Sequence, residues 1–433
     1  MPRLFIFLVI FVCFACETKR TGSFPAPPEP TYDDYAKAWP EDLSREVYHD
    51  KVLGMLVGSA IGDGMGAPTE MWHRNNIRES YGFVTDFTIL DRPRSPEGPW
   101  GNQMQAAVTT DDTRWKFLFT QFLHGHKNQL DPVRSQEFAE FIADAFRRET
   151  KELSDAEMSA QSISRELTHL AWLQEWAAVA GPFANGNIDE YQIALNKFYG
   201  GEMACAGMLY TPTLGVIYPA NPVKAYVNAY SLGLFDIGYA RDISALTAAY
   251  VAQAMQPNGD YADILRLSLR VDPYSYGESR LIGRIADQTA QTAQDIIARV
   301  KSLESVPDAF DVPMSSNYPA DSLSFYRLTM AYAEMDLHLK DIPFHAGEIH
   351  FINLMALAWS EGDFVQAMQF VTNYGRDNDT VAAVTGAILG AYVGASGLPE
   401  NLKATVLEVT RDVVGIDLKE LAERLVAAGF QGS

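Results

Sequence analysis

Two apolar segments of the chain carry a glycine at every fourth residue. In KVLGMLVGSAIGDGMGAPTE, residues 51–70, and GRDNDTVAAVTGAILGAYVG, residues 375–394, these are Gly54, Gly58, Gly62 and Gly66, and Gly386, Gly390 and Gly394. A four-residue repeat lies along one face of an α-helix, and each glycine there costs about 1 kcal/mol relative to alanine. Close approach of another backbone offsets that cost. Because Asp63 and the short apolar spans argue against membrane helices, we expect two tightly packed core helices.

Most of the chain after about residue 45 has the periodicity of amphipathic helices. Apolar residues recur three and four positions apart in TRWKFLFTQFLHGH, VRSQEFAEFIADAFRRE, ADILRLSLRV, ADQTAQTAQDIIARVKSL and LKELAERLVAAGF. The best strand candidate is FVTDFTIL, residues 83–90, which is a short strand or an extended loop. Pro- and Gly-rich stretches at 91–102, 211–222 and 306–320 are typical of loops within one domain. The sequence predicts a single all-α domain over residues 45–433.

The N-terminus has the pattern of a targeting segment. In MPRLFIFLVIFVCFAC one Arg precedes an apolar run from Leu4 to Ala15, too short to span a membrane and typical of a signal peptide over residues 1–15. Cys16 follows, which resembles a bacterial lipoprotein signal with Cys16 as the lipidated residue. Residues 16–44 are rich in Pro and polar residues and predict a tether. We expect a lipid-anchored protein of the bacterial cell envelope, on the periplasmic face or the cell surface. Secretion to the periplasm and a retained anchor are the alternatives.

Charge and cysteine content limit the partners. The formal net charge of −21 argues against nucleic acid and against anionic membrane surfaces, so membrane contact is expected only through the lipid anchor. An anionic ligand must then be attracted by metal ions, backbone amides or a local Arg. Once the signal is removed, Cys205 is the one cysteine in the folded part, which excludes an internal disulfide. Its apolar context is typical of an inert thiol.

Two segments bunch oxygen ligands directly before an apolar helix. They are TTDDTRW, residues 109–115, and RDNDT, residues 376–380. One Ser, Thr, Asp or Asn suffices to cap a helix N-terminus, so capping leaves the second carboxylate of each pair unexplained. Neighbouring carboxylates repel each other unless a cation lies between them. The residues therefore indicate either helix caps alone or a shared site for magnesium, manganese or calcium.

The first glycine segment, TTDDTRW and the second glycine segment, in this order along the chain and widely separated, resemble the motifs of the ADP-ribosylglycohydrolases. The resemblance implies a single large orthogonal helical bundle that hydrolyses the bond at the anomeric carbon of ribose in ADP-ribosylated proteins or related ADP-ribosyl compounds. It implies two Mg²⁺ ions, with Mn²⁺ possible, and it implies a catalytic role for Glu70. The implied metal ligands are Thr110, Asp111, Asp112, Asp377, Asp379 and Thr380.

The chain departs from the family in its central loop. Family members usually carry a loop resembling GNGSAMR that contacts ADP-ribose, and the counterpart here is YGGEMACAGMLYTPTLGV, residues 199–216. We predict Gly200, Gly201 and Glu202 as substrate-binding residues, together with His73, for which a surface position is equally compatible. Two alternatives follow from the altered loop: a non-catalytic ADP-ribose or nucleotide-binding protein on the same fold, and a hydrolase of a smaller riboside. Retention of all six candidate ligands favours the enzyme.

Overall fold

The computed structural model describes residues 39–430 except 89, 92–102, 128–129, 131 and 156–159. The predicted signal peptide, Cys16 and most of the tether therefore lie outside the described residues. The α-helices of the described part are α1 Arg45–Gly66, α2 Arg74–Tyr81, α3 Asp111–Gly125, α4 Ser135–Asp155, α5 Ala160–Ala184, α6 Ile188–Leu195, α7 Thr211–Gly215, α8 Pro222–Leu232, α9 Ala240–Ala254, α10 Tyr261–Leu265, α11 Ile285–Lys301, α12 Ser322–Met335, α13 Ala346–Ser360, α14 Phe364–Tyr374, α15 Asn378–Val393, α16 Glu400–Val409 and α17 Leu418–Gly429.

The remaining regular elements are short. Two antiparallel pairs join β1 Trp72–His73 to β4 Gly375–Arg376, and β2 Leu90–Asp91 to β3 Gln103–Met104. Single turns of 3₁₀-helix occur at Ala67–Thr69, Phe198–Gly201, Ala206–Leu209, Tyr276–Glu278, Asp336–His338 and Ala395–Gly397, and a π-helical turn at Thr410–Val414. Residues 83–88 are irregular, so FVTDFTIL is an extended loop with strand pairing only from Leu90.

The two glycine-rich helices, α1 and α15, pack directly against each other at the centre of the fold. A Cβ atom on Gly58 would lie 2.3 Å from the Gly386 carbonyl oxygen, and one on Gly62 would lie 2.0 Å from the Ala382 carbonyl oxygen. A Cβ on Gly386 would in turn lie 2.1 Å from the Gly58 carbonyl oxygen. The prediction of two tightly packed core helices is confirmed, and the glycines are the residues that allow the two backbones to approach.

This contact brings the end of α1 to the beginning of α15. A Cβ on Gly66 would lie 2.4 Å from the Asp379 Cα atom. The Asn378 Nδ2 group donates a hydrogen bond of 2.8 Å to the Thr69 Oγ1 atom, and the Met71 amide donates one of 2.7 Å to the Arg376 carbonyl. Residues 67–71 and 376–379 are therefore fixed side by side, which sets the position of Glu70.

Four of the five amphipathic segments form the helices that the periodicity predicts, namely α3, α4, α11 and α17. The fifth, ADILRLSLRV, is helical only as far as Leu265. The carbonyl groups of Ser268 and Val271 instead accept hydrogen bonds of 2.7 and 2.8 Å from the Arg284 guanidinium. Among the described residues, no helix combines the length and the apolar character needed to cross a membrane.

Candidate metal centre

Three carboxylates from two separate chain segments meet in the interior. Glu70 follows the 3₁₀ turn after α1, Asp377 is the residue before α15, and Asp379 lies in the first turn of α15. Each contributes an oxygen atom, and these oxygens lie within 4.8 Å of one another. All three residues are buried. Such a cluster has the spacing and the charge that a bound cation requires.

The second predicted cluster is held in place by Asp63 of α1. Its Oδ1 atom accepts a hydrogen bond of 2.9 Å from the Thr110 amide. Its Oδ2 atom accepts hydrogen bonds from the amide and the hydroxyl of Thr113, at 3.1 and 2.6 Å. The fully buried Asp63 carboxylate thus caps the N-terminus of α3 from a neighbouring helix, which places Asp111 and Asp112 in the first turn of α3.

The carboxylates of the two clusters influence each other electrostatically. Burial raises the pKa of Asp379 well above its ordinary value, and the charges of Glu70, Asp377 and Asp112 raise it further. Burial raises the pKa of Asp377 to about 6, with a contribution from the charge of Asp111 and an opposing one from the Thr380 hydroxyl. Carboxylates of α3 and of α15 therefore act on each other through space. Without a cation, these groups would take up protons to reduce their mutual repulsion.

Several carboxylate oxygens in this centre have no hydrogen-bond partner among the described residues. They are the Oδ2 atoms of Asp111 and Asp112 and the Oδ1 atom of Asp379, all of them buried. A buried carboxylate oxygen without a partner is destabilising, and ligation of divalent cations would satisfy such oxygens. The residues present therefore fit a divalent metal site, and oxygen donors favour Mg²⁺, Mn²⁺ or Ca²⁺.

The central loop reaches this centre through Cys205. The Cys205 Sγ atom lies 4.0 Å from the Asp377 Oδ2 atom. Further back in the loop, Tyr199, Gly200 and Gly201 have φ angles of 44, 73 and 84°, all in the left-handed region, and Glu202 is exposed. Local sequence carries no signal for the contact with Cys205, because its apolar neighbours indicate an inert thiol.

An ion pair between the half-buried Arg376 and the buried Glu348 supports the turn before Asp377. The Arg376 guanidinium donates to both carboxylate oxygens of Glu348 at 2.6 and 2.9 Å, and the Lys340 amide donates to the same carboxylate at 2.6 Å. Arg376 has a φ angle of 65°, which is uncommon for a residue with a side chain. The ion pair holds Arg376 in this conformation and so fixes the turn that presents Asp377.

The structure places the other predicted residues as follows. Thr110 and Thr380 are buried beside the carboxylates, Thr110 as the residue that caps α3. His73 is exposed, and its Nδ1 atom accepts a hydrogen bond of 3.2 Å from the Asn75 amide at the start of α2. It therefore caps a surface helix. The metal-ligand, substrate-binding and catalytic roles of these residues stay predictions.

The fold and the site together define an all-α protein with a buried carboxylate centre suited to divalent cations. Residues 44–432 match the sequence model of the ADP-ribosylglycohydrolase family, and the chain belongs to this family. Membership assigns it to a class of glycosidic-bond hydrolases. The all-α fold expected from the sequence is confirmed.

Two individual proteins are similar to the chain. The Escherichia coli (strain K12) protein named "Uncharacterized protein YegU" is 30% identical over 369 residues, which cover 82% of this chain and 91% of that protein. A solved structure named "ADP-ribosylglycohydrolase-related protein complex" has a TM-score of 0.51 and 16% identity, covering 89% of this chain and 100% of that one. At this identity the solved structure supports the fold alone.

Proposed function

We propose that this protein is a divalent-cation-dependent hydrolase of the bond at the anomeric carbon of ribose, acting on an ADP-ribosylated protein or a related ADP-ribosyl compound. The observation that carries the proposal is the convergence of Glu70, Asp377 and Asp379 in the interior of a member of this family. The unpartnered oxygens of Asp111, Asp112 and Asp379 support a cation between the two clusters.

In this proposal the side chains of Asp111, Asp112, Asp377 and Asp379, with the hydroxyls of Thr110 and Thr380, hold two Mg²⁺ ions, or Mn²⁺ in their place. Bound ions of this kind polarise oxygen atoms and stabilise developing negative charge. The carboxylates would orient the ribose hydroxyl groups toward Glu70, and burial of the centre would exclude bulk water from the reacting carbon.

Glu70 would supply the proton transfer. Its carboxylate is buried within 4.8 Å of the oxygens of Asp377 and Asp379, so it lies beside the place where the ribose would bind. From there it would accept a proton from the attacking water or donate one to the leaving group, which contributes roughly 100-fold to 10,000-fold in such reactions. Departure of the leaving group would give an oxocarbenium-like transition state, as in other glycoside hydrolyses.

The central loop supports a second candidate substrate class. Gly200 and Gly201 would offer a backbone turn to a pyrophosphate, but Glu202 directly follows them and is exposed. A carboxylate at this place opposes a pyrophosphate by charge repulsion. A smaller riboside without phosphate groups would avoid this repulsion. The two candidates differ in the phosphate group and can be separated with one panel of substrates.

The test is hydrolysis of ADP-ribosylated peptides, ADP-ribosyl compounds and phosphate-free ribosides in the presence of Mg²⁺ or Mn²⁺. Wild type should release ribose or ADP-ribose, and Glu70→Gln should lower the rate by about 100-fold or more while it keeps ADP-ribose binding. Glu79→Gln, an exposed change on α2, should behave as wild type. If wild type binds ADP-ribose and hydrolyses no member of the panel, the protein is a binding protein on this fold.

We further propose that the protein is a lipoprotein of the bacterial cell envelope, anchored through Cys16. Support comes from the apolar run Leu4–Ala15 ahead of Cys16 and from the Pro-rich tether. Cys16→Ser should move the protein from the membrane fraction to the soluble envelope fraction. A Ser variant that stays with the membrane would indicate a retained helix, and a soluble wild type would indicate plain secretion.

A further inference from the structure

A lysine is buried inside the carboxylate centre. Lys116 lies one turn along α3 from Asp112 and is 2% exposed. Its Nζ atom donates to the Asp112 carbonyl at 3.0 Å, to the Asp112 Oδ1 atom at 3.4 Å and to the Leu209 carbonyl at 3.1 Å. An ammonium group has three N–H donors. The three acceptors match the three donors, so the group is fully satisfied within the protein.

Burial of an ammonium group is costly and needs a compensating partner. The partner here is a centre with six buried carboxylates, those of Asp63, Glu70, Asp111, Asp112, Asp377 and Asp379. Burial raises the pKa of Asp112 well above its ordinary value; the charge of Lys116 lowers that pKa, and the charges of Asp63, Asp111 and Asp377 raise it further. Two other cations lie beside the centre: Arg376 is engaged by Glu348, and Arg114 donates hydrogen bonds to the carbonyls of Thr109 and Thr110. Lys116 is thus the ammonium group that directly offsets the charge of Asp112.

Lys116 and a metal ion would share one carboxylate. Lys116 contacts the Asp112 Oδ1 atom, while the Asp112 Oδ2 atom has no partner among the described residues. A cation bound at Oδ2 would therefore lie close to the ammonium group. Like charges at such separation in a buried site repel each other strongly, and the cation would also have to compete with Lys116 for the charge of Asp112.

We propose that Lys116 is a fixed internal cation of this metal centre, which compensates part of the carboxylate charge when metal is absent and weakens the binding of divalent cations. The inference rests on the proposed metal site. It makes Lys116 a positioning and affinity-setting residue rather than a catalytic one. It also predicts that removal of the Lys116 charge strengthens metal binding. A lysine with only a structural role would not have this effect.

The third hydrogen bond of Lys116 joins the centre to the central loop. Leu209 ends the 3₁₀ turn Ala206–Leu209, a few residues after Cys205. An uncharged replacement of Lys116 would lose this bond in part or in whole, which lowers the stability of the protein for a reason unrelated to metal. Metal affinity and metal-free stability must therefore be measured separately.

The experiment compares wild type, Lys116→Met, Lys116→Gln and Lys116→Arg. Methionine removes the charge at similar length, glutamine removes it and keeps a donor, and arginine keeps the charge. Magnesium affinity is measured by calorimetry and by thermal melts with increasing Mg²⁺. Both uncharged variants should bind Mg²⁺ at least about tenfold more tightly, which corresponds to about 1.4 kcal/mol. They should melt below wild type in chelator, and Lys116→Arg should keep the wild-type affinity within about threefold.

Unchanged or weaker Mg²⁺ binding by folded Lys116→Met and Lys116→Gln would overturn the proposal and leave Lys116 as a structural brace of Asp112. Failure of both uncharged variants to fold at saturating Mg²⁺ would also overturn it, because a loaded centre should tolerate loss of the ammonium group. Wild type that binds neither Mg²⁺ nor Mn²⁺ would instead refute the proposed metal site itself. The two failures are therefore distinguishable.

Discussion

The contact between α1 and α15 gives a sharp prediction for Gly58→Ala. The added Cβ atom would lie 2.3 Å from the Gly386 carbonyl oxygen and 3.0 Å from the Gly390 Cα atom. Both are backbone atoms, so no side-chain rotation relieves the clash and the two helices must separate. Overpacking of a tight core costs about 1–3 kcal/mol, and alanine recovers up to about 1 kcal/mol of helix propensity. Because backbone atoms cannot move aside, we take the upper end of this cost, about 3 kcal/mol, and expect a net loss of about 2 kcal/mol in the free energy of unfolding.

Gly125→Ala provides the matched control. Gly125 is the last residue of α3, and apart from its chain neighbours and its own helix backbone no heavy atom of the described residues would come within 4 Å of its added Cβ atom. The same substitution should therefore raise the free energy of unfolding by up to about 1 kcal/mol. Both variants add the same methyl group, and only its environment differs. Changes of opposite sign in the free energy of unfolding would therefore be due to the contact between α1 and α15.

The assay is urea denaturation followed by circular dichroism, with chelator present so that metal binding does not contribute. Mg²⁺ affinity is then measured on the same preparations. Because α1 positions Glu70 and α15 carries Asp379, separation of the helices should also weaken Mg²⁺ binding by Gly58→Ala. A Gly58→Ala protein as stable as wild type, or stabilised like Gly125→Ala, would refute the argument that the glycine spacing exists to allow close backbone contact.

Two further predictions concern buried aspartates. Asp63→Ala removes the acceptor of three hydrogen bonds at the start of α3. It should lower the free energy of unfolding by about 2–4 kcal/mol and weaken Mg²⁺ binding, and Asp63→Asn should be less affected. Unfolding curves indistinguishable from wild type would contradict this. Burial raises the pKa of Asp236 to about 6, so the folded protein favours the protonated carboxyl, and wild type loses stability as the pH rises through 6. Asparagine does not titrate. The stability of Asp236→Asn relative to wild type should therefore increase between pH 4 and 7 by up to about 3 kcal/mol. A difference in unfolding free energy that does not change with pH would exclude this.

Much of the fold follows from local sequence patterns. The glycines of α1 and α15 had to meet another backbone because their spacing removes side chains from a whole helix face. The periodicity of α3, α4, α11 and α17 encodes a buried stripe in the same direct way. The exception is ADILRLSLRV, where Arg284 binds the carbonyls of Ser268 and Val271. These hydrogen bonds replace helical ones, and because Arg284 is distant in sequence, the local periodicity does not predict them.

The sequence allowed prediction of those candidate site residues that lie close together along the chain. Asp111 with Asp112, and Asp377 with Asp379, each appear as charge placed before an apolar helix. The residues that sequence reasoning missed act across long separations. Lys116 reaches the Leu209 carbonyl across 93 positions, and Cys205 reaches Asp377 across 172. A lysine on an amphipathic helix is ordinarily expected at the surface, so only the fold reveals that Lys116 points inward.

The central claim is that the buried carboxylates hold divalent cations. The most direct measurement is metal content after purification with Mg²⁺ or Mn²⁺, combined with calorimetry and thermal melts before and after chelation, for wild type, Asp379→Ala and Thr380→Ala. Wild type should bind two ions and melt at higher temperature when they are present. Asp379→Ala should lose affinity at both sites, and Thr380→Ala mainly at one. Wild type with no bound metal, and with no change in melting temperature on addition of either ion, would contradict the account.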